Sequence, residues 1–277
     1  MKFRTEIGKL KGGFELSHDD RIVLLGSCFA DNVGERLEHD GFNVVHNPLG
    51  PLFNPASIFS VFKRGHKEFT PDDFVNDKGV WHCLQFANRY QSEDPCKLAE
   101  MVNNDYLPLC EAIENATAII LTFGTNKVYE YTPGGFVAGN CHKLPAAVFK
   151  ERFLQSEEIL ELAKGLMLKS KNIFTLSPVR YPGDGLAQGF LSKATLRMAI
   201  DRLCRKFGAD YFPSYEIVND DLRDYRFYTS DLRHVNEMAV DYIYEHFSET
   251  YFSTKTLSKA EACHKEYLRS AHRPIIK

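Results

Sequence analysis

Two short segments at opposite ends of the chain carry the residue types of nucleophilic catalysis. Near the C-terminal end, Asp231 and His234 stand three residues apart in Thr-Ser-Asp-Leu-Arg-His, a spacing at which one turn presents both side chains in the same direction. A carboxylate beside an imidazole fixes its tautomer and stabilises its protonated form, as a general base requires. The pair therefore predicts a base that lacks only a hydroxyl or thiol partner.

Ser27 is the candidate for that partner, because it stands after Gly26 where an apolar strand pattern changes to a helical pattern. At such a turn we expect the hydroxyl of a small residue to be exposed, next to a helix N-terminus whose free N–H groups stabilise an oxyanion. A Gly-Ser turn after a strand is more often only a turn, and an Asp-x-x-His segment is more often a helix cap. The prediction therefore depends on the two segments together.

Two further residues offer alternatives, one to Ser27 as the nucleophile and one to Asp231 as the orienting acid. Cys28 is a second candidate nucleophile, because thiolates form readily near helix N-termini. We expect its side chain to point to the core instead, since cysteine is among the most buried residue types. Glu216 is a second carboxylate that is able to orient His234 in place of Asp231, and only distances decide between the two acids.

The composition favours a globular protein with a small-molecule substrate. The 277 residues are 44% hydrophobic and 26% charged, and 34 basic and 37 acidic residues give a formal net charge of -3 without a basic run. Nucleic acid and anionic membranes are therefore poor candidates for partners. Because the N-terminal residues do not resemble a signal peptide and no segment reaches the roughly 20 apolar residues that span a bilayer, we expect a cytoplasmic protein.

The seven cysteines predict neither a disulfide framework nor a metal centre. Their number is odd and none stands in a Cys-x-x-Cys motif, so free thiols in a reducing compartment fit better. His82-Cys83 and Cys141-His142 suggest zinc at first sight, but adjacent Cys and His rarely bind one ion together. The first strand is not followed by the Gly-rich phosphate cradle of a nucleotide or flavin binder. We therefore expect no metal and no organic cofactor.

Strand and helix patterns alternate along the chain, which predicts an α/β fold: a three-layer α/β/α sandwich around a mostly parallel, flavodoxin-like sheet with loop and hairpin insertions. Residues 1–250 are expected to form this domain, and 251–277 a polar helical tail that covers the sheet edge or docks a partner subunit. The periodicities predict strands at 22–25, 42–46, 80–86, 116–123, 172–176 and 210–212, a hairpin over 128–138, and helices at 29–37, 56–63, 98–112 with a break near Pro108, 159–167 ending on Met167, 196–207 capped by Ser192, and 238–247.

Gly26-Ser27-Cys28-Phe29-Ala30 is the pentapeptide for which the GSCFA domain family is named, and the chain resembles that family, a branch similar to the SGNH/GDSL hydrolases. The resemblance extends over roughly residues 15–250. Other segments that resemble GSCFA proteins are NPLGPLFNP (47–55), GNCHKLP (139–145), LSPVRYPGDG (176–185), LSKATLRMAIDRL (191–203) and YFPSYEIVNDDLRDYRFYTSDLRH (211–234).

The resemblance implies a triad of Ser27, His234 and Asp231, because the superfamily places its serine after the first strand and an Asp-x-x-His near the C-terminus. It also implies that Gly50 and Asn126 help the Ser27 N–H to hold the oxyanion. Here Gly-Thr-Asn-Lys departs from the usual Gly-x-Asn-Asp, and Gly-Ser-Cys from Gly-Asp-Ser. The implied activity is hydrolysis or transfer of an O-acyl ester such as an acylated sugar or lipid. The alternative is an inactive ligand-binding module on the same fold.

Three further residues are candidates for substrate binding. His142 and Lys143 follow the predicted hairpin above the third strand, and the alternative for His142 is a hydrogen bond to backbone. Arg180 follows the end of a strand and is suited to bind a carboxylate or phosphate, or to pair with Asp184. The long insertions at 56–115 and 127–150 are expected to form one wall of the pocket.

Overall fold

A computed structural model describes residues 4–166, 168–169 and 171–271 of the chain. Its strands are β1 (Arg21–Gly26), β2 (Asn43–His46), β3 (Val75–Asp77), β4 (Val80–His82), β5 (Gln91–Ser92), β6 (Ala118–Phe123), β7 (Lys127–Tyr131), β8 (Phe136–Ala138), β9 (Phe149–Phe153), β10 (Lys171–Leu176) and β11 (Asp210–Phe212). Its helices are α1 (Cys28–His39), α2 (Pro55–Arg64), α3 (Pro95–Asn115), α4 (Ser156–Leu162), α5 (Leu186–Phe207), α6 (Ser214–Glu216) with a π-helical continuation (Ile217–Leu222), α7 (Glu237–Tyr251) and α8 (Thr254–Ala271).

The central sheet has five strands in the order β11-β10-β6-β1-β2, and every neighbouring pair is parallel. Counted along the chain, these strands lie in the order 2-1-3-4-5, which is the flavodoxin-like winding. The predicted fold class is therefore confirmed. Because the strands are parallel, their carboxyl ends meet at one edge of the sheet.

Both faces of the sheet are buried, and alternate residues of each strand contribute to different cores. Val23 and Leu25 of β1 pack with α2, α3, α4 and α5 on one face. Ile22 and Leu24 pack with α1 and α7 on the other face. A strand that is covered on both sides has no solvent-facing positions, which explains why β1 and β6 read as continuous apolar runs.

Two small antiparallel sheets are inserted into this sandwich. The order β3-β4-β5 forms one of them, and β8-β7-β9 forms the other. The second contains the predicted hairpin, and β9 is a third strand that the sequence patterns did not indicate. The predicted strand at 80–86 is too long, since the Phe86 N–H donates to the Cys83 carbonyl in a turn that ends the strand pattern.

The predicted break near Pro108 is wrong, because α3 runs through the proline without interruption. Pro108 removes the hydrogen bond to the carbonyl of Asn104, and both residues are exposed, so water solvates the freed carbonyl. Leu98, Val102 and Tyr106 on the opposite side are buried and hold the helix against the core.

The predicted start of α5 is also wrong. The helix begins at Leu186, so Ser192 lies inside it and is not its cap. Its hydroxyl accepts the Asn126 N–H at 3.0 Å and so ties α5 to the loop after β6. The first turns of α5 escaped the pattern because Leu186 and Phe190 are exposed apolar residues that do not mark a buried face. The helix predicted over 159–167 ends at Leu162, and Met167 lies outside the described residues.

Helix α8, in the predicted tail, packs beside the end of α1. His264 Nδ1 lies 3.0 Å from Asp40 Oδ1, and the rings of His39 and Tyr267 stack at 3.6 Å. Tyr244 of α7 also donates to Asp40, at 2.8 Å, so one carboxylate joins three helices. The last part of the predicted tail, 272–277, lies outside the described residues.

Candidate active site

The turn between β1 and α1 is closely packed against the end of β6. Gly26 has a φ of 146°, and a Cβ on it would lie 2.1 Å from the Thr122 carbonyl oxygen, so only glycine fits. Asn47 then clamps the turn from the loop after β2. Its side-chain oxygen accepts the Gly26 N–H at 2.9 Å, and its amide donates to the Ser27 carbonyl at 3.3 Å.

Ser27 is the N-cap of α1, and its side chain is fully buried. Its hydroxyl accepts the Phe29 N–H at 3.4 Å. The expectation that this hydroxyl is exposed is wrong. The Tyr181 hydroxyl and Ser27 Cβ lie 2.9 and 3.3 Å from the position that a Cβ on Gly124 would take, so the tyrosine hydroxyl lies near the serine side chain.

Cys28 begins α1 and is more accessible than Ser27, since it is partly exposed. Its side chain packs against the core that α1 and α7 share, in line with the expectation that it points toward the core, but it is not completely covered. Burial raises the pKa of the thiol to about 11, and the carboxylate of Asp31, one turn along the helix, acts in the same direction. The thiol is therefore protonated at neutral pH.

Asp231 and His234 form a close pair in the loop before α7. His234 Nδ1 lies 2.6 Å from Asp231 Oδ2, while Asp231 Oδ1 accepts the hydroxyl of Thr229 at 2.6 Å and the N–H groups of Arg233 and His234 at 2.8 and 3.0 Å. The Thr229 hydroxyl and then the imidazole lower the pKa of this carboxyl well below its usual range. With Nδ1 bonded to the carboxylate, Nε2 is the position at which the imidazole can accept a proton.

Glu216 does not compete for this role. Both of its oxygens accept the Tyr211 hydroxyl, at 2.9 and 2.7 Å, and Arg197 lies 3.7 Å away. The acid that contacts His234 is therefore Asp231, as the spacing predicted.

A cavity of about 450 Å³ lies where the loops after the strands meet, and we call it the His234 cavity. Arg180 N–H donates to the Arg233 carbonyl at 3.1 Å, which joins the loop after β10 to the loop that carries His234. The lining of the His234 cavity includes Phe53, Thr125, Lys127, Val179, Arg180, Tyr181, Asp184, Arg233 and His234.

Ser27 and His234 are not hydrogen-bonded to each other in this structure. The side chain of His234 is 49% exposed in the lining of the cavity, whereas Ser27 is fully buried. The Tyr181 hydroxyl is buried and has no hydrogen-bond partner among residues 4–166, 168–169 and 171–271. Moving this ring aside would therefore break no hydrogen bond of its hydroxyl within the described chain.

The three predicted oxyanion donors are occupied elsewhere. Ser27 N–H donates to the Thr122 carbonyl at 3.1 Å, and Gly50 N–H donates to the Asn47 carbonyl at 2.8 Å. The Asn126 amide donates to the Leu154 carbonyl at 2.8 Å. Each of the three groups therefore already donates to a carbonyl of the chain.

Lys193 is a site-edge residue that sequence reasoning missed. Its side chain is 6% exposed, and its Nζ donates to the carbonyls of Gly124 and Ser177 at 2.7 Å each, so it joins the ends of β6 and β10. Burial lowers the pKa of its ammonium group to about 7. A signal existed, because Lys193 shares a helix face with the buried Leu196 and Ile200, where a lysine is unexpected.

The substrate-binding candidates are placed in different surroundings. His142 is buried, and its Nε2 lies 3.0 Å from the Phe86 carbonyl, which matches the alternative of a backbone-bonded histidine. Lys143 is exposed and is not part of the His234 cavity lining. Arg180 lines the cavity, and Asp184 pairs with Lys127 at 2.7 Å rather than with Arg180.

The fold and the site together define an α/β/α sandwich with a histidine–carboxylate pair at the carboxyl edge of its sheet. The GSCFA family model matches residues 21–247 of the chain, and the chain therefore belongs to the GSCFA family. This match confirms the family resemblance of the sequence. No curated protein and no solved structure matches the chain significantly.

Two absences among the described residues, 4–166, 168–169 and 171–271, concern membrane-spanning helices and metal ligands. No helix among them combines the length and the apolar character needed to cross a membrane. Nor do three or more His, Cys, Asp or Glu side chains of the described chain converge in a group that could hold a metal ion.

Proposed function

We propose that the chain is an esterase or acyltransferase that acts on an O-acyl ester, with Ser27 as nucleophile, His234 as base and Asp231 as its orienting acid. The observation that carries the proposal is the 2.6 Å contact between His234 Nδ1 and Asp231 Oδ2. It leaves Nε2 to act as a base in a cavity at the sheet edge where β1, β6 and β10 end.

The reaction requires the buried Ser27 to become accessible, and Tyr181, whose hydroxyl lies near it without a hydrogen-bond partner in the described chain, is the side chain that we expect to move. His234 Nε2 takes the hydroxyl proton while Oγ attacks the ester carbonyl, and the imidazolium is stabilised by Asp231. The tetrahedral intermediate collapses as His234 returns the proton to the leaving alcohol. Water, or a second alcohol in the case of an acyltransferase, then releases the acyl group by the same steps and restores Ser27.

Cys28 is a second candidate nucleophile, because its side chain is partly exposed and that of Ser27 is fully buried. Against it stands the thiol pKa of about 11, since the thiolate is the reactive form. Cys28, like Ser27, would therefore need a base to remove its proton before it could attack.

A binding module without turnover is the second candidate function. The observation that favours it is the engagement of Ser27 N–H, Gly50 N–H and the Asn126 amide with other carbonyls. An esterase needs at least one such donor to turn toward the intermediate when Tyr181 moves, because removing a single oxyanion donor costs about 100- to 1000-fold in kcat.

Kinetics on short 4-nitrophenyl esters and acetylated sugars test the proposal. We expect His234→Ala to lower kcat/KM by about 100-fold or more, the usual contribution of a general base. Ser27→Ala should lose a similar factor, whereas Cys28→Ala should retain activity. His66→Ala is the control, because this exposed histidine pairs with Glu114 away from the cavity. Turnover that survives in His234→Ala contradicts the proposal, and loss in Cys28→Ala alone transfers the attack to the thiol.

A further inference from the structure

Arg180 lies at the boundary between two cavities. One is the His234 cavity, and the other is a cavity of about 250 Å³ whose lining includes Lys193. The guanidinium carbon of Arg180 lies 5.0 Å from the ring centre of Tyr225 and 4.5 Å from that of Tyr228. Cation–π attraction to the two rings holds the guanidinium in place without neutralising it.

The carboxylate that would neutralise Arg180 is bound elsewhere. Asp184 accepts the ammonium of Lys127 at 2.7 Å, and Glu151 lies 2.9 Å from the same ammonium. Among the residues that the structure describes, no ion pair involves Arg180 or Arg233. A positive charge that lines a cavity and pairs with no carboxylate of the described chain is free to bind an anion from outside.

The lining of the His234 cavity contains more basic than acidic side chains, although the chain as a whole carries -3. The charged residues of its lining, besides the histidine itself, are Lys127, Arg180, Arg233 and Asp184. Lys127 is paired with Asp184 and Glu151, and Asp231 is engaged with His234, so no carboxylate of this group pairs with either arginine. Walls of low dielectric concentrate the resulting field in the cavity and strengthen its attraction for an anion.

We propose that the substrate is an acyl ester that also carries an anionic group, a carboxylate or a phosphate, and that Arg180 binds this group. The proposal rests on the proposed function, because the anion would lie in the cavity that His234 shares. A guanidinium presents two parallel N–H donors that fit either anion. The backbone N–H of Arg180 donates to the Arg233 carbonyl at 3.1 Å and joins the two loops, while the rings of Tyr225 and Tyr228 hold the guanidinium at the cavity that His234 also lines.

A matched pair of substrates tests the inference: the 4-nitrophenyl monoester of glutaric acid, and 4-nitrophenyl 5-methylhexanoate, in which an isopropyl group replaces the carboxylate. A charge-assisted hydrogen bond contributes about 1.5–3 kcal/mol, so we expect the wild type to prefer the anionic ester by roughly 10- to 100-fold in kcat/KM. In Arg180→Gln the ratio should fall toward one. Arg205→Gln, at an exposed position of α5, should keep the wild-type ratio. A wild type without preference overturns the inference, as does a ratio that survives in Arg180→Gln.

Calorimetric binding of glutarate and of inorganic phosphate provides a readout that needs no turnover. We expect at least one of the two anions to bind the wild type and the Arg205→Gln variant, and to bind Arg180→Gln at least 10-fold more weakly. The anion that binds shows whether the anionic group of the substrate is a carboxylate or a phosphate. Binding that depends on Arg180 without ester turnover would sink the proposed function and keep the anion site. Turnover of neutral esters without anion binding would overturn the anion site and keep the proposed function.

Discussion

At the scale of single residues, the candidate site is held by polar side chains that bond to backbone. Asn47 clamps both sides of the Gly26–Ser27 peptide, and Asp231 accepts two backbone N–H groups besides the imidazole. Lys193 bonds to two carbonyls at the ends of neighbouring strands. Each of these side chains fixes a loop end that would otherwise move, so the cavity wall is positioned by the sheet edge itself.

Lys193 predicts a specific pH dependence of stability. Its pKa falls from the ordinary 10.5 to about 7 on burial, so the unfolded chain binds more protons than the folded chain between pH 7 and 10.5. The free energy of unfolding should therefore rise with pH in that window, by at most about 1.4 kcal/mol per pH unit from this group. The neutral amine still has two N–H donors, as many as the carbonyls require. In Lys193→Met this contribution should vanish, measured by urea unfolding between pH 7 and 9.

Lys206→Met is the matched control for this prediction, since Lys206 lies on the same helix and is exposed. It should follow the wild-type trend with pH. An equal pH trend in the wild type and in Lys193→Met would show that the buried lysine does not titrate in this range.

At the scale of elements, the β1–α1 turn is the least replaceable part of the site. We expect Gly26→Ala to lower the free energy of unfolding by about 3 kcal/mol or more, because backbone strain and overpacking each cost about 1–3 kcal/mol. The 2.1 Å approach of its Cβ to the Thr122 carbonyl makes the clash one with backbone, which cannot rotate away. Urea unfolding of the variant measures the loss.

Gly189→Ala in α5 is the control, because its Cβ would meet nothing within 4 Å and alanine is the better helix former. Its stability should equal or slightly exceed that of the wild type. If Gly26→Ala were as stable as Gly189→Ala, the turn would not be constrained as described.

The elements were predictable where burial alone determined the pattern. The apolar runs of β1 and β6 and the periodicity of α1 mark buried surfaces, and the parallel order follows from their alternation. The wrong predictions concern helices whose continuity or limits depend on solvent or on contacts between residues distant in sequence. Solvation of a freed carbonyl lets α3 pass Pro108, and exposed apolar residues hid the start of α5 at Leu186.

The site was predictable only in part for the same reason. The contact of Asp231 with His234 is local, three residues apart, and so follows from spacing. The burial of Ser27 depends on residues distant in sequence, since its backbone bonds to Thr122 and Asn47 and the Tyr181 hydroxyl lies near its side chain. The role of Lys193 likewise depends on two strand ends that meet only in the folded sheet.

At the scale of the whole molecule, the central sheet brings loops from distant parts of the chain to one edge. The loop after β6 contributes Thr125, the loop after β10 contributes Arg180 and Tyr181, and the loop before α7 contributes His234. Helix α8 packs on the far end of α1 through Asp40, away from that edge. The N-terminal end of α1 thus belongs to the candidate site, and its C-terminal end contacts the last helix, α8.

Mapping the adduct of a serine-directed fluorophosphonate tests the central claim most directly. After incubation with the full-length protein, peptide mass analysis with fragmentation identifies the labelled side chain. The account predicts a phosphonylated Ser27 in the wild type, and no label in His234→Ala or Ser27→Ala. Label on Cys28, or no label on Ser27 while the His66→Ala control and wild type turn over esters, would contradict Ser27 as the nucleophile.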